Sequence, residues 1–478
     1  MVLLKIVNTN HIVLFSTYLV ICSIIILLLL NLKSEKNFNI FSNIINNFIY
    51  NLLLFFFIIK FLITIQKVKN LSLLINYKLM DKAVMLNFNG SLFSDVIVIL
   101  GLFTGIICYN LISGKSFVKN TINSFLFFFF FIATIFMVYT SNILIMFLSF
   151  EFLFLPTIYC VYFYGYSKKV DKSCKYLIFW TLLGSFIVLV SLGFLYNIYQ
   201  TLNYNQLKLC KLNSHQLNLI YIVILFGFGI KIPVVPFQHW LLKVHVESPT
   251  PFSIFLSGFL VKSAVFCFYN LNLLLQNYNI NLIIILWVSI SLLVASFGLY
   301  SQTDFKKLIA WATVQEMTLI LFFLIIKNNT ININLYIFIL LHGILSAYMF
   351  YTVDIIYRRF RTREILIIQG LSILMPNCIK YIWLLLIVFT GFPTTAKFLI
   401  EWDLVLSLLN TSYVYIIFLI FFINFIAVIG FCQILLNIMY GKPCKTTEIL
   451  DLQRNEKILL NYLTSLMLIL NLYLFNFI

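Results

Sequence analysis

The richest run of reactive side chains lies between residues 227 and 251. An apolar stretch, Ile220 to Ile230, leads into Lys231, after which Pro233 and Pro236 interrupt the helical pattern. A short amphipathic segment follows with His239, Lys243, His245 and Glu247, and Pro249 and Pro251 close it. Further ionisable residues stand alone in apolar runs. Glu151 lies in Phe-Glu-Phe-Leu-Phe-Leu-Pro, and Lys262 in Gly-Phe-Leu-Val-Lys-Ser-Ala-Val. Glu316 follows Trp-Ala-Thr-Val-Gln, His342 is flanked by leucine and glycine, and Lys397 and Glu401 come after Gly391-Phe-Pro393. These side chains take up and release protons. A buried ammonium deprotonates more readily than one in water, and a lone buried carboxylate tends to hold its proton. A carboxylate beside a lysine stays charged as a coupled pair, and Lys231 is the natural partner for Glu151.

Each residue also has a plain structural reading. Lys231 could snorkel to an interface from a kinked helix. Lys397 and Glu401 are four apart on one helix and can simply pair with each other. His342 could be a packing histidine held by hydrogen bonds, and Lys60, in a Phe/Ile-rich segment, reads as a snorkelling lysine. What favours function is the set. Even mild insertion scales charge about 2.5–3.5 kcal/mol for a Lys or Asp at a membrane helix centre, and a helix rarely breaks in lipid without lining a cavity.

The elements that must carry these residues are membrane helices. Of 478 residues, 62% are hydrophobic and 10% charged, and the mean hydropathy is +1.04. Soluble domains are nearer 25% charged. Apolar runs long enough to span recur throughout, and no polar stretch could hold a soluble domain. Fourteen spans are expected, near 11–32, 44–66, 93–113, 121–139, 141–164, 175–198, 217–246 (broken), 251–275, 280–300, 308–326, 331–356, 377–411 (broken), 413–440 and 458–477. The first is too long for a signal-peptide core and reads as retained; residues 67–92 are amphipathic and read as interfacial. Lys306 and Lys307 are placed in a loop.

Charge placement agrees with this count. Loops after odd-numbered spans hold 20 of the 32 basic residues and the opposite side 8. Positive residues stay on the side from which insertion occurs, so both termini are expected on the other side. The net charge of +17 then reflects topology and contact with anionic lipid, with no nucleic-acid role. The nine cysteines form no Cys-x-x-Cys or Cys/His cluster, and there is no glycine-rich phosphate loop, so no redox or nucleotide chemistry is expected on the chain itself. Abundant Phe, Tyr, Ile, Asn and Lys, all with A/T-rich codons, hint at an organellar gene.

Two proline-interrupted segments, 160 residues apart between Pro233 and Pro393, are a pointer to an inverted-repeat transporter core. The run Lys231-Ile-Pro-x-x-Pro-Phe-x-x-Trp240-Leu-x-Lys-x-His245-x-Glu247-x-Pro249 resembles the signature of the antiporter-like membrane subunits of respiratory complex I. Phe-Glu151-x-x-x-x-Pro156, Asp304-Phe-Lys-Lys-Leu-Ile-Ala, His342-Gly-x-x-Ser-Ala, Thr362-Arg363 and Gly391-Phe-Pro393 followed by Phe398 and Glu401 extend the likeness over about residues 88 to 440. Within that family, Lys262 and Glu401 favour the subunit 4 branch over the subunit 2 and subunit 5 branches.

The resemblance implies an all-α polytopic membrane protein of about 14 transmembrane helices, with two inverted five-helix repeats, each containing a broken helix. Residues 1–118 would carry helices 1–3, 119–275 the first antiporter-like half, 276–440 the second, and 441–478 a loop and the last helix. It implies proton translocation by NADH:ubiquinone oxidoreductase (complex I) in the mitochondrial inner membrane, with the basic loops in the matrix and the termini on the intermembrane-space side. Glu151 and Lys231 would be the coupled pair of the first half-channel, Lys262 the relay, His342 a continuation and Glu401 the terminal proton site. FMN, iron–sulfur clusters and ubiquinone would reside in partner subunits. The subunit 2 and subunit 5 antiporter-like neighbours, accessory subunits and lipids including cardiolipin would be partners. Three positions depart from the family pattern: Glu316 where histidine is usual, Lys397 where a small or amide residue is usual, and Arg358 where an acid is common. Alternatives are a multi-subunit cation/proton antiporter, which shares the fold, and a non-pumping structural spacer.

Overall fold

The structure, a computed structural model, describes residues 92–112, 117–165, 169–207, 214–275, 282–326, 333–393, 395–409, 415–443 and 450–475. The expected spans at 11–32 and 44–66, the stretch 67–92 and Lys60 lie outside them. Among the described residues the chain is almost entirely helical, and its only β pairings are the isolated bridges Asn142–Asn203 and Asp304–Glu364. The helices are α1 (Leu92–Ile112), α2 (Phe117–Tyr139), α3 (Ile143–Phe152), α4 (Phe154–Tyr164), α5 (Val170–Tyr199), α6 (Tyr204–Leu207), α7 (Ser214–Lys231), α8 (His239–Glu247) and α9 (Thr250–Phe255). After a π-helical turn (Leu256–Leu260) come α10 (Val261–Leu274), α11 (Leu282–Tyr300), α12 (Phe305–Ile326), α13 (Ile333–Phe360) and α14 (Leu371–Leu374). The last four are α15 (Pro376–Thr390), α16 (Ala396–Leu409), α17 (Tyr415–Tyr440) and α18 (Arg454–Phe475). Seven helical stretches among the described residues are long and apolar enough to cross a membrane.

The chain divides into two compact units, one of residues 1–156 and 199–210, the other of 157–198 and 211–478. In the first, α2 packs between α1 and α3. Asn142 starts α3 by accepting the Leu144 N–H at 2.9 Å, which satisfies one of the donors that a helix start leaves open.

In the second unit the helices sort by depth. The spanning windows of α12 and α13 are wholly buried, and that of α9 through α10 is 94% buried, whereas those of α5 and α17 are only 39% buried. The inner helices pack on one another, α13 touching α9, the π-turn, α12 and α16. The outer helices turn rows of Phe, Leu and Ile outward, among them Phe186, Phe297, Phe418 and Phe425. Such exposed apolar area suits hydrocarbon and would be unusual facing water.

The last helix is tied to the inner layer by a salt bridge. Arg359, near the end of α13, meets Glu456 in the first turn of α18 with both side chains about nine-tenths buried. Its guanidinium also donates to the carbonyls of Leu450 and Asp451. Removing one partner of a buried pair leaves the other charge uncompensated. Glu456→Ala is therefore expected to cost about 3 kcal/mol, seen as a lowered Tm in detergent. Arg454→Ala, at an exposed neighbour, should stay within about 0.5 kcal/mol of the parent.

Candidate functional site

The α7–α8 break shows how a membrane helix can open without stranding its backbone. Residues 232–238 leave the α-helical pattern, with Pro233 and Pro236 among them. Two carbonyls here are taken by indoles: Trp240 Nε1 donates to Ile230 O at 2.8 Å, and Trp287 Nε1, from α11, to Val235 O at 2.9 Å. In hydrocarbon an unpaired carbonyl costs several kcal/mol, so these two side chains make the break tolerable. Lys231 is 1% exposed and is the last residue of α7, where the negative end of the helix dipole favours a cation. It fits because α5 and α7 touch at glycines. A Cβ on Gly184 would sit 3.0 Å from the Gly227 carbonyl oxygen and 3.3 Å from the Lys231 Cε.

Glu151 lies half-buried near the end of α3, in the first unit, whereas Lys231 belongs to the second.

Lys262 is fully buried one residue into α10. The π-turn just before it runs a backbone bond from Val261 N–H to Leu256 O, five residues back. The Ser257 carbonyl is taken by the Lys262 Nζ. π-turns inside α-helices recur at functional sites, and here the turn supplies an acceptor to a buried ammonium. Glu316 on α12 is within electrostatic reach of Lys262.

The second break lies between α15 and α16. Gly391 caps α15 with φ +74°, a backbone state that glycine adopts without strain. Lys397 follows in the first turn of α16. Its Nζ bonds Glu316 Oε1 at 2.6 Å and Phe389 O at 2.8 Å, all buried. The lysine that could pair with Glu401 four residues on is thus ion-paired across to α12. Glu316 and Lys397, two positions expected to depart from the family pattern, meet in one salt bridge. Glu401 is half-buried, with its Oε2 3.5 Å from where a Gly391 Cβ would stand. Its Oε1, and the Oε2 of Glu316, have no hydrogen-bond partner among the described residues. His342 on α13 is buried, its ring stacked 6.2 Å from Phe338 with Nδ1 unpartnered among the described residues, and it feels the charges of both Lys262 and Lys397. The structure thus gathers Lys262, Glu316, His342, Lys397 and Glu401 from four helices of one unit.

Two further groups, one placed in a loop and one named without a role, join the buried set. Lys306, assigned to a loop, is 1% exposed, and its Nζ donates to Ser248 O. The cause is a helix that begins three residues earlier than expected, because Asp304 accepts the Lys306 N–H at 2.8 Å and caps α12. His245 is fully buried against Phe350 at 4.8 Å; neither ring nitrogen has a partner among the described residues, and Lys306 and Lys262 both act on it electrostatically. Its place in the Lys-x-His-x-Glu run was the available signal. Arg358 pairs with Asp354 at 2.6 Å, and the other Asp354 oxygen accepts from Thr250 Oγ1 at 2.9 Å. Among the described residues no group of three or more His, Cys, Asp or Glu side chains is gathered as a metal site requires.

A profile of the transmembrane family described as NADH:quinone oxidoreductase/Mrp antiporter matches residues 140–429, more than half the chain. The chain belongs to this family. NADH-ubiquinone oxidoreductase chain 4 of Paramecium tetraurelia is 32% identical to it over 374 residues, 78% of this chain and 79% of that one. A chain of respiratory complex I from Thermus thermophilus with bound aureothin has TM-score 0.72 at 16% identity, covering 96% of this chain and 97% of that one. A chain of the archaeal membrane-bound sulfane sulfur reductase gives 0.77 at 16% identity, covering 98% and 94%. The chain is accordingly a multi-pass membrane protein with the antiporter-like fold of complex I, and every site residue named above from Glu151 to Glu401 falls within the segment matched to the family.

The indole contacts make a direct prediction. Trp240→Phe keeps the bulk and strands the buried Ile230 carbonyl, so it is expected to cost about 1–3 kcal/mol. Trp287→Phe, at a half-buried site, should cost less. Tm values of the two variants in detergent check both the loss and the order.

Proposed function

We propose that the chain is a proton-translocating membrane subunit of NADH:ubiquinone oxidoreductase in the mitochondrial inner membrane. The observation that carries this reading is the group of buried Lys262, Glu316, His342 and Lys397 with half-buried Glu401, gathered inside an envelope of outward-facing apolar helices. An inert spacer has no need of such a group, given the insertion cost of each charge. In this reading the chain has fourteen spans, with inverted repeats in 119–275 and 276–440 that follow helices 1–3 in 1–118 and precede the last helix in 441–478. Basic loops face the matrix. The subunit 2 and subunit 5 neighbours flank it, and accessory subunits and cardiolipin-containing lipid surround it. Flavin, iron–sulfur clusters and quinone work in partner subunits.

The mechanism is electrostatic. A charge change arriving from a neighbouring subunit perturbs the charges of Glu151 and of Lys231, and Lys262 then releases or recaptures a proton. The proton passes by way of His342 and the Glu316–Lys397 bridge to Glu401 and leaves. Lys306 and His245, with His245 in electrostatic reach of both lysines, join the row at Lys262 and serve its protonation. Moving one charge against the membrane potential costs about 2.3 kcal/mol per 100 mV. A change in proton affinity of under two pH units, at about 1.36 kcal/mol each, supplies that much.

The first test is Lys262→Met in the assembled complex, with NADH:quinone turnover and proton uptake scored together. Loss of both with assembly intact is the expected result; an unchanged proton-to-electron ratio would remove Lys262 from the path and leave a scaffold. Sodium-dependent transport persisting without quinone turnover would favour a cation/proton antiporter instead. A second test is a double-mutant cycle. Glu316→Gln and Lys397→Met each leave one buried charge unpaired, so the pair of changes together should be milder than their sum by about 1–3 kcal/mol. The thermal stability of the assembled complex reads that coupling.

A further inference from the structure

One cavity in the second unit takes no part in the proton row. It has a volume of about 740 Å³ and is walled by the start of α5, by α8, and by the turn joining α11 to α12. Four lysines line it, Lys169, Lys172, Lys243 and Lys307, together with His239, against the single carboxylate of Glu247. Three of these cations come from different elements, so their convergence is a product of the fold and not of one basic run. Lys243 is held in place, with its Nζ 3.4 Å above the centroid of the Tyr176 ring, a contact that favours a cation over an aromatic face.

Two apolar strips lead away from this cavity. On α5, Phe179, Leu182 and Phe186 are all exposed and follow Tyr176 at helical spacing. On α11, Ile290, Val294 and Phe297 are exposed and end just before Ser301, which itself lines the cavity. Residues three or four apart share one helix face, so each strip is a continuous apolar track with the basic cavity at its head.

We propose that this cavity binds the headgroup of an anionic phospholipid, with the acyl chains lying along α5 and α11. The lysines meet the phosphate oxygens by charge-assisted hydrogen bonds. The apolar tracks distinguish a lipid from free phosphate, which would need only the cations. This inference gives a specific site to the lipid contact proposed above and does not depend on the proton-pumping part of that reading.

The test uses the full chain in the assembly with which it purifies, stripped of lipid in neutral detergent. Dioleoyl phosphatidylglycerol, dioleoyl phosphatidylcholine of the same chains, or inorganic phosphate is added, and bound lipid is counted by native mass spectrometry. A lysine near an anionic lipid contributes about fivefold in affinity. Lys243→Gln with Lys307→Gln should therefore weaken one phosphatidylglycerol adduct by about 25-fold. Lys169→Gln with Lys172→Gln should do likewise from a different helix. Lys380→Gln with Lys442→Gln, two exposed lysines outside the cavity, should leave binding unchanged. Equal binding of the two lipids, or full phosphatidylglycerol binding by both cavity variants, would overturn the proposal. Displacement of phosphatidylglycerol by equimolar inorganic phosphate would overturn it in favour of a small-anion site.

Discussion

Charge inside hydrocarbon must be surrounded by protein, and the second unit is built around that demand. Lys262, Lys306, Glu316, His342 and Asp354 all lie on α10, α12 and α13, whose spanning stretches are nearly or wholly buried. In the outer helices α5, α11 and α17 half or more of the spanning residues are not buried, and these helices carry no comparable charge in their middles. The same demand applies to backbone. Where α7 opens after Lys231, indole N–H groups take the place of helical donors. The fold does not avoid polarity at depth; it confines polarity to positions where another part of the chain can answer it.

The Glu316–Lys397 bridge shows why single positions mislead. Seen alone, a glutamate and a lysine in apolar helices 81 residues apart are two unexplained charges. Brought to 2.6 Å they form one neutral pair. Each makes the other tolerable at depth, since a buried ion without its partner is costly. Arg358, half-exposed, answers Asp354 in the same way one turn along α13.

Much of this could be read from the chain. Helix limits fall within a few residues of the apolar runs, because length and hydropathy are set by what surrounds the helix. The proline pairs marked the region where α7 stops, because proline lacks the donor that a continuing helix needs. What escaped has a common cause in tertiary contact. Local spacing offered Lys397 the carboxylate of Glu401, but a helix distant in sequence supplied Glu316. Nothing in Leu-Ser-Gly-Phe-Leu marks a π-turn, and the Lys262 contact with the Ser257 carbonyl is seen only in the fold. Lys306 looked like a loop residue because the start of α12 depends on one aspartate cap, and a shift of three residues there separates solvent from core.

The Arg359–Glu456 contact carries a consequence for biogenesis. Its partners are 97 residues apart, and synthesis delivers α13 long before α18. During that interval the guanidinium has the Ile355 carbonyl within its own helix to bond, while the carbonyls of Leu450 and Asp451 and the Glu456 carboxylate do not yet exist. Closure of this side of the second unit therefore waits until α18 has been made. A chain that stops before residue 456 keeps this guanidinium with only the carbonyl of its own helix, so the charge is compensated by a carboxylate only once α18 is in place.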